Sequence, residues 1–120
     1  MGFINFKLLK RSFCQAFEGL KYNFLHEQNF RIQVIIGAFA FFLAFYFPLT
    51  IGQRITIILL ISLVLILELL NSVLERTLDL LKPRIDPTVE VIKKTMSALV
   101  LLACLTSVII GVLIFYPFLF

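Results

Sequence analysis

ITIILLISLVLILELLNSVLERTLDLL, residues 55–81, carries an apolar stretch straight into a patterned polar one. Its first 13 residues, Ile55 to Leu67, hold no charge. From there Glu68, Asn71, Glu75 and Asp79 follow at spacings of three, four and four. Such spacings keep side chains on one helix face; the stripe drifts by only about 20° from Glu68 to Asp79. The whole stretch therefore reads as one long helix. Taken from Gln53 to Leu81 it would be about 42 Å long, enough to cross a hydrocarbon layer of about 30 Å and emerge. Its polar last third must lie near the membrane boundary or face protein, because carboxylates are costly in lipid.

The flanking sequence supplies two more candidate spans. VIIGAFAFFLAFYFPLTIG, residues 34–52, is 19 residues without charge, and Pro48 and Gly52 stand where that span is expected to end. Residues 95–120 are uncharged throughout, with Gly111 and Pro117 as weak interruptions. The chain as a whole is 61% hydrophobic and 15% charged over 120 residues. A soluble domain of this size could not bury so much apolar surface. The expected fold class is an all-α membrane protein, an N-terminal amphipathic surface helix followed by three transmembrane helices. The length allows one domain, residues 1–120, with spans at about 34–52, 55–75 and 95–116.

The surface helix is read over residues 6–30, FKLLKRSFCQAFEGLKYNFLHEQNF. Leu9, Phe13, Phe17, Leu20 and Phe24 recur three or four apart, with Lys7, Lys10, Arg11 and Lys21 between them. This suits a helix lying in the interface, aromatic side down and basic side up. Gly19 offers a bend or a close approach. The residues before it lead into no signal-peptide core and cleavage pattern. The net charge of +4 then fits anionic lipid headgroups, with no nucleic acid as partner. Cys14 and Cys104 fall in segments too different to suggest a disulfide.

Basic residues orient the chain. Lys7, Lys10, Arg11, Lys21 and Arg31 precede the first span; Arg76, Lys82, Arg84, Lys93 and Lys94 lie between the second and third. Three spans put both groups on one side, and only Arg54 on the other. The positive-inside rule makes the rich side cytoplasmic. The connections are about five residues outside and about twelve inside, Lys82–Lys93.

Two readings of the polar stripe compete. One is polar glue between helices, neutralised in part by Arg76 or Lys82. The other is a site, preferred because three acids on one stripe are expensive unless used or paired. Two carboxylates one turn apart suit Mg²⁺, which takes few carboxylates and keeps waters or phosphates. A deeper carboxylate could accept a proton from a lipid hydroxyl. Glu68 is the deepest acid; Glu75 and Asp79 are nearest water. Glu27 is either a further metal ligand or one half of a Glu27–Arg31 helical pair. Lys93 and Lys94 read as boundary anchors or as phosphate contacts. His26 reads as an exposed interfacial residue. No P-loop or protein-kinase glycine loop occurs.

ELLNSVLERTLDL, residues 68–80, resembles the E-x-x-N-[ST]-x-x-E-x-x-x-D signature of the small bacterial membrane diacylglycerol kinase and undecaprenol kinase family. FEGLKYNFLHEQNFR, residues 17–31, resembles that family's G-[LI]…[NR]E-x-x-FR stretch, and its KYNFLHEQNFR part looks closer to the undecaprenol kinase branch. The resemblance runs from about Ser12 to Gly111. It implies a homotrimer with active sites between neighbouring subunits, in the bacterial inner membrane with N-terminus and site cytoplasmic, transferring phosphate from MgATP to a membrane-lipid hydroxyl, undecaprenol or diacylglycerol. By the same resemblance Glu68 is the general base and Asn71 orients the lipid or that base. Glu27 and Glu75 hold the Mg²⁺ that carries ATP, Asp79 lies on the nucleotide side, and Lys93 contacts phosphates. Two departures stand out. Lys94 replaces the aspartate of the family's K-D pair, so Lys94 would meet phosphate or Glu90 would take the lost acidic role. Met96 and Leu99 replace smaller residues beside it. A catalytically inactive relative that binds lipid or assembles with a partner is the competing reading.

Overall fold

The structure is a computed structural model that describes residues 2–81 and 87–120. Four helices follow one another: α1 (Phe6–His26), α2 (Gln28–Tyr46), α3 (Ile51–Leu81) and α4 (Pro87–Leu119). The last three are each long and apolar enough to cross a membrane. Among the described residues there is no strand, so the expected all-α class is the observed one. Lys82 and Arg84, two of the basic residues used to orient the chain, lie outside the described residues.

Local chemistry sets three of the helix starts. The Asn5 side chain accepts from the Lys7 and Leu8 amides and opens α1. Thr50 and Gln53 form a reciprocal capping box: the Gln53 amide donates to Thr50 Oγ1, and the Thr50 amide donates to Gln53 Oε1. That box starts α3 at Ile51, two residues before the expected Gln53. Pro87 opens α4, where a missing N–H costs nothing. Lys93 and Lys94 are therefore helical rather than part of a loop running to Lys93.

The boundary between α1 and α2 has no such local signal. The surface helix was expected to continue to Phe30. It ends at His26, and Glu27 alone is extended, at φ −112° and ψ 108°. Its amide still bonds back to Asn23 and its carbonyl already accepts from Arg31. One residue thus turns the chain from the surface helix into the span. The helix runs unbroken through Gly19, where an added Cβ would meet nothing, so that glycine neither bends α1 nor permits a close contact.

Helix α3 packs against both α2 and α4. On α2 the buried positions are Phe30, Gly37 and Ala44, a seven-residue repeat along one line. On α3 they are Ile57, Val64, Glu68 and Ser72, and on α4 Val89, Met96, Val100, Ala103 and Ile114. The tightest apolar packing, around Ala44, Leu49, Ile57 and Ile114 with Phe47 and Phe118 against it, sits at the end away from the acids. There Arg54 donates to the carbonyls of Ala44 and Phe47, satisfying the C-terminus of α2. It also lies over the Phe45 ring, 5.5 Å from the centroid. The first span therefore closes at Tyr46, ahead of Pro48 and Gly52. Both cysteines are free.

At Gly37 α2 lies close against α3. A Cβ there would lie 2.9 Å from Ile61 Cγ2. Ile61 is stiff at χ1, so the helices must separate. Gly37→Ala is expected to cost about 1–3 kcal/mol, read as a lower unfolding midpoint in detergent. Ile61→Ala in the same chain should restore part of it. Gly111→Ala, with nothing within 4 Å, is the matched control.

Candidate active site

The stripe on α3 grades from buried to exposed. Glu68 is 5% exposed. Asn71 and Glu75 are half-buried, and Asp79 is exposed. This gradient arises because Glu68 shares the buried line of α3 with Val64 and Ser72, while Asp79 lies beyond the packed part of the helix. Asn71 Oδ1 is buried and has no hydrogen-bond partner among the described residues. Buried amide oxygens normally have a partner, so this one stands out among the polar groups of the stripe.

The turn at Glu27 brings a second acid to the stripe. The charges of Glu75 and Glu27 both act on Glu68. Acids from two separate parts of the chain thus lie close enough to influence one another's charge. Glu27 does not pair with Arg31; its Oε1 accepts from Arg76 Nη2 at 2.7 Å. The guanidinium that was expected to neutralise α3's own stripe is instead turned to the α1–α2 junction. Lys82, the other expected neutraliser, lies outside the described residues.

Lys93 is the residue of α4 that joins the stripe. Its Nζ donates to Asp79 Oδ1 at 2.8 Å, and the charges of Asp79 and Glu75 both act on it. Lys94 points elsewhere: its Nζ is 3.4 Å from Glu90 Oε1, one turn back on α4, and both side chains are more than half exposed. Glu27, Glu68, Asn71, Glu75, Asp79 and Lys93 are therefore brought together, and Glu90 and Lys94 form a separate exposed pair beside them.

The donors present suit a hard cation. Among the described residues no cluster of three or more His, Cys, Asp or Glu side chains forms a ready-made metal cage. Mg²⁺ does not need one, since one or two carboxylates and substrate phosphates complete its octahedron. Glu27 and Glu75 fit that requirement. An apolar cavity of about 300 Å³ between α2, α3 and α4 begins at Val64, one turn from Glu68, and reaches Gly111 and Phe115. A Gln33–Cys104 hydrogen bond of 3.3 Å crosses it.

The family model described as prokaryotic diacylglycerol kinase matches residues 14–115. The chain belongs to this family. Family membership makes it a lipid kinase, and its three apolar helices make it a membrane protein. Undecaprenol kinase from Bacillus subtilis (strain 168) is 32% identical over 107 residues, covering 89% of this chain and 87% of that protein. Diacylglycerol kinase from Synechocystis sp. is 33% identical over 107 residues, covering 88% of this chain. The match spans only 61% of the length of that second kinase. Two features of α1 escaped the sequence reading. Tyr22 lies under Arg76, and Asn23 carries a second buried oxygen with no partner among the described residues. Tyr22 and Arg76 are 54 positions apart, and no local pattern links them.

Proposed function

We propose that this family member phosphorylates the primary hydroxyl of undecaprenol or diacylglycerol, using ATP and Mg²⁺, at a site on the cytoplasmic face of a bacterial inner membrane. The observation that carries the reading is a buried Glu68 on which the charges of Glu75 and Glu27 act, on the same α3 stripe as the unpartnered Asn71 oxygen.

The roles follow from depth. Glu68, deepest in the stripe, accepts the proton of the lipid hydroxyl as the lipid oxygen attacks the γ-phosphorus. Asn71 Oδ1, buried and without a protein donor, orients that hydroxyl or the base. Glu27 and Glu75 hold the divalent cation, whose bound charge offsets that of the transferring phosphoryl group. Lys93, anchored by Asp79, faces the phosphates on the nucleotide side. Transfer is direct and in line: the lipid O–P bond forms, the bond to ADP breaks, and no phosphoenzyme intervenes. The basic α1 holds the site at the water boundary, where soluble nucleotide and buried lipid can meet. The cavity lining is mostly apolar, with Gln33 and Ser107 as its polar residues, which suits a hydrocarbon tail. Active sites lie between subunits of a homotrimer.

Lys94 and Glu90 stand at the solvent edge of the nucleotide side. Because both are exposed, Lys94→Asp should change the KM for ATP by less than about tenfold. A larger fall in turnover would place Lys94 against the phosphates.

The reading is tested with purified protein in lipid–detergent mixtures, given labelled ATP and Mg²⁺ with undecaprenol or diacylglycerol in separate reactions. Labelled lipid phosphate is the expected product, and the faster lipid identifies the substrate. A folded protein that labels neither lipid would favour the inactive relative.

A further inference from the structure

Arg76 has a setting that the reaction roles above leave unused. It follows Glu75 in the chain, but its guanidinium reaches across to α1 and the α1–α2 junction. Its Cζ lies 4.7 Å from the centroid of the Tyr22 ring. The ring of Tyr22 is itself stacked on His26, with centroids 4.2 Å apart and planes 20° from parallel. His26 Nδ1 lies 2.9 Å from the Tyr22 carbonyl oxygen, which fixes the imidazole. The guanidinium thus lies over the outer of two stacked rings, and Nη2 is held by the carboxylate of Glu27 at 2.7 Å.

That arrangement engages one face and one edge nitrogen of a group with five N–H donors in a planar fork. The side chain is 44% exposed, and Glu27 is 32% exposed. An ion pair this open to solvent is weak. A guanidinium paired to phosphate through two parallel N–H bonds is stronger and more directional. Glu27 is also the residue that the cation would engage.

We propose that Arg76 is a further nucleotide-binding residue, stored on Tyr22 and Glu27 until MgATP arrives, when Glu27 turns to the cation and the guanidinium takes phosphate oxygens. The assignment rests on the kinase reading above for the identity of the nucleotide. Tyr22 is a positioning residue: its ring keeps the fork oriented before and after the exchange. Arg76 would then supply a positive charge on the side of the phosphates opposite to Lys93's helix.

The competing role is a strap that merely ties α1 to α3. The two roles separate in full-length protein carrying Arg76→Gln, Arg76→Lys or Tyr22→Leu. Binding of trinitrophenyl-ATP with Mg²⁺ is measured directly, alongside the KM values for ATP and for lipid. Arg76→Gln is expected to weaken nucleotide binding about tenfold, the loss of one charge-assisted hydrogen bond. The lipid KM should hold within twofold. Arg76→Lys should recover only part of the binding, because an ammonium lacks the planar fork, and Tyr22→Leu should give an intermediate loss. Nucleotide binding within twofold of wild type in Arg76→Gln would overturn the assignment. So would full recovery by lysine, or equal losses for nucleotide and lipid. If the unmodified protein binds nucleotide but labels no lipid, the kinase reading falls and Arg76 is still judged on binding alone. If it binds no nucleotide, both fall.

Discussion

Glu68→Gln should yield a folded membrane protein whose lipid phosphorylation falls by about 10²–10⁴-fold, the usual contribution of a general base. The substitution keeps the side chain's shape and removes only its capacity to take a proton. Glu68 is 5% exposed on the buried line of α3, so its replacement by a neutral isostere relieves an ionisable group from an apolar setting. The unfolding midpoint in detergent should therefore stay level or rise while turnover collapses. ATP binding should persist, because the nucleotide residues lie farther along the stripe. Labelled phosphate transfer, run beside a thermal melt and a nucleotide-binding titration, separates these effects. A variant retaining a tenth of wild-type turnover would take the base role away from Glu68.

Removing the cation should be as damaging. Chelation of divalent ions is expected to abolish transfer, and added Mg²⁺ to restore it. Glu75→Gln should lower turnover about a hundredfold or more, since a bound cation contributes several kcal/mol of charge stabilisation to phosphoryl transfer. The concentration of Mg²⁺ needed for half-maximal rate should rise in the same variant. Glu27→Gln is informative beside it. Glu27 forms the α1–α2 turn and pairs with Arg76 at 2.7 Å, so its loss would remove both the proposed cation ligand and that pair. An unchanged Mg²⁺ requirement in both variants would mean that the cation is held elsewhere.

The gradient of exposure along α3 explains why these effects should separate cleanly. Glu68 lies among packed side chains, Glu75 is half-buried, and Asp79 is exposed with Lys93 hydrogen-bonded to it. The proposed base Glu68 and the acids Glu75 and Asp79 are thus displaced along one helix axis by about 5 Å per turn. A single rigid helix orders them from lipid to water.

What the sequence by itself determined is what local rules govern. Three apolar runs are long enough to cross hydrocarbon, and each must satisfy its backbone within its own helix. The three, four, four spacing places Glu68, Asn71, Glu75 and Asp79 on one face whatever surrounds them. The Thr50–Gln53 capping box that starts α3 at Ile51 went unread, and the start was expected at Gln53. Tertiary structure alone decided where the surface helix turns. No glycine or proline marks Glu27, and the turn follows from docking α1 beside a chain that must then cross the membrane. It alone gave Glu27 to Arg76 rather than to Arg31, and set Arg76 on Tyr22. It separated Lys93, bonded to Asp79, from Lys94, which turns to Glu90. These partners belong to different helices or compete on one of them. Their choice depends on how the helices pack, which residue spacing within a single helix does not encode.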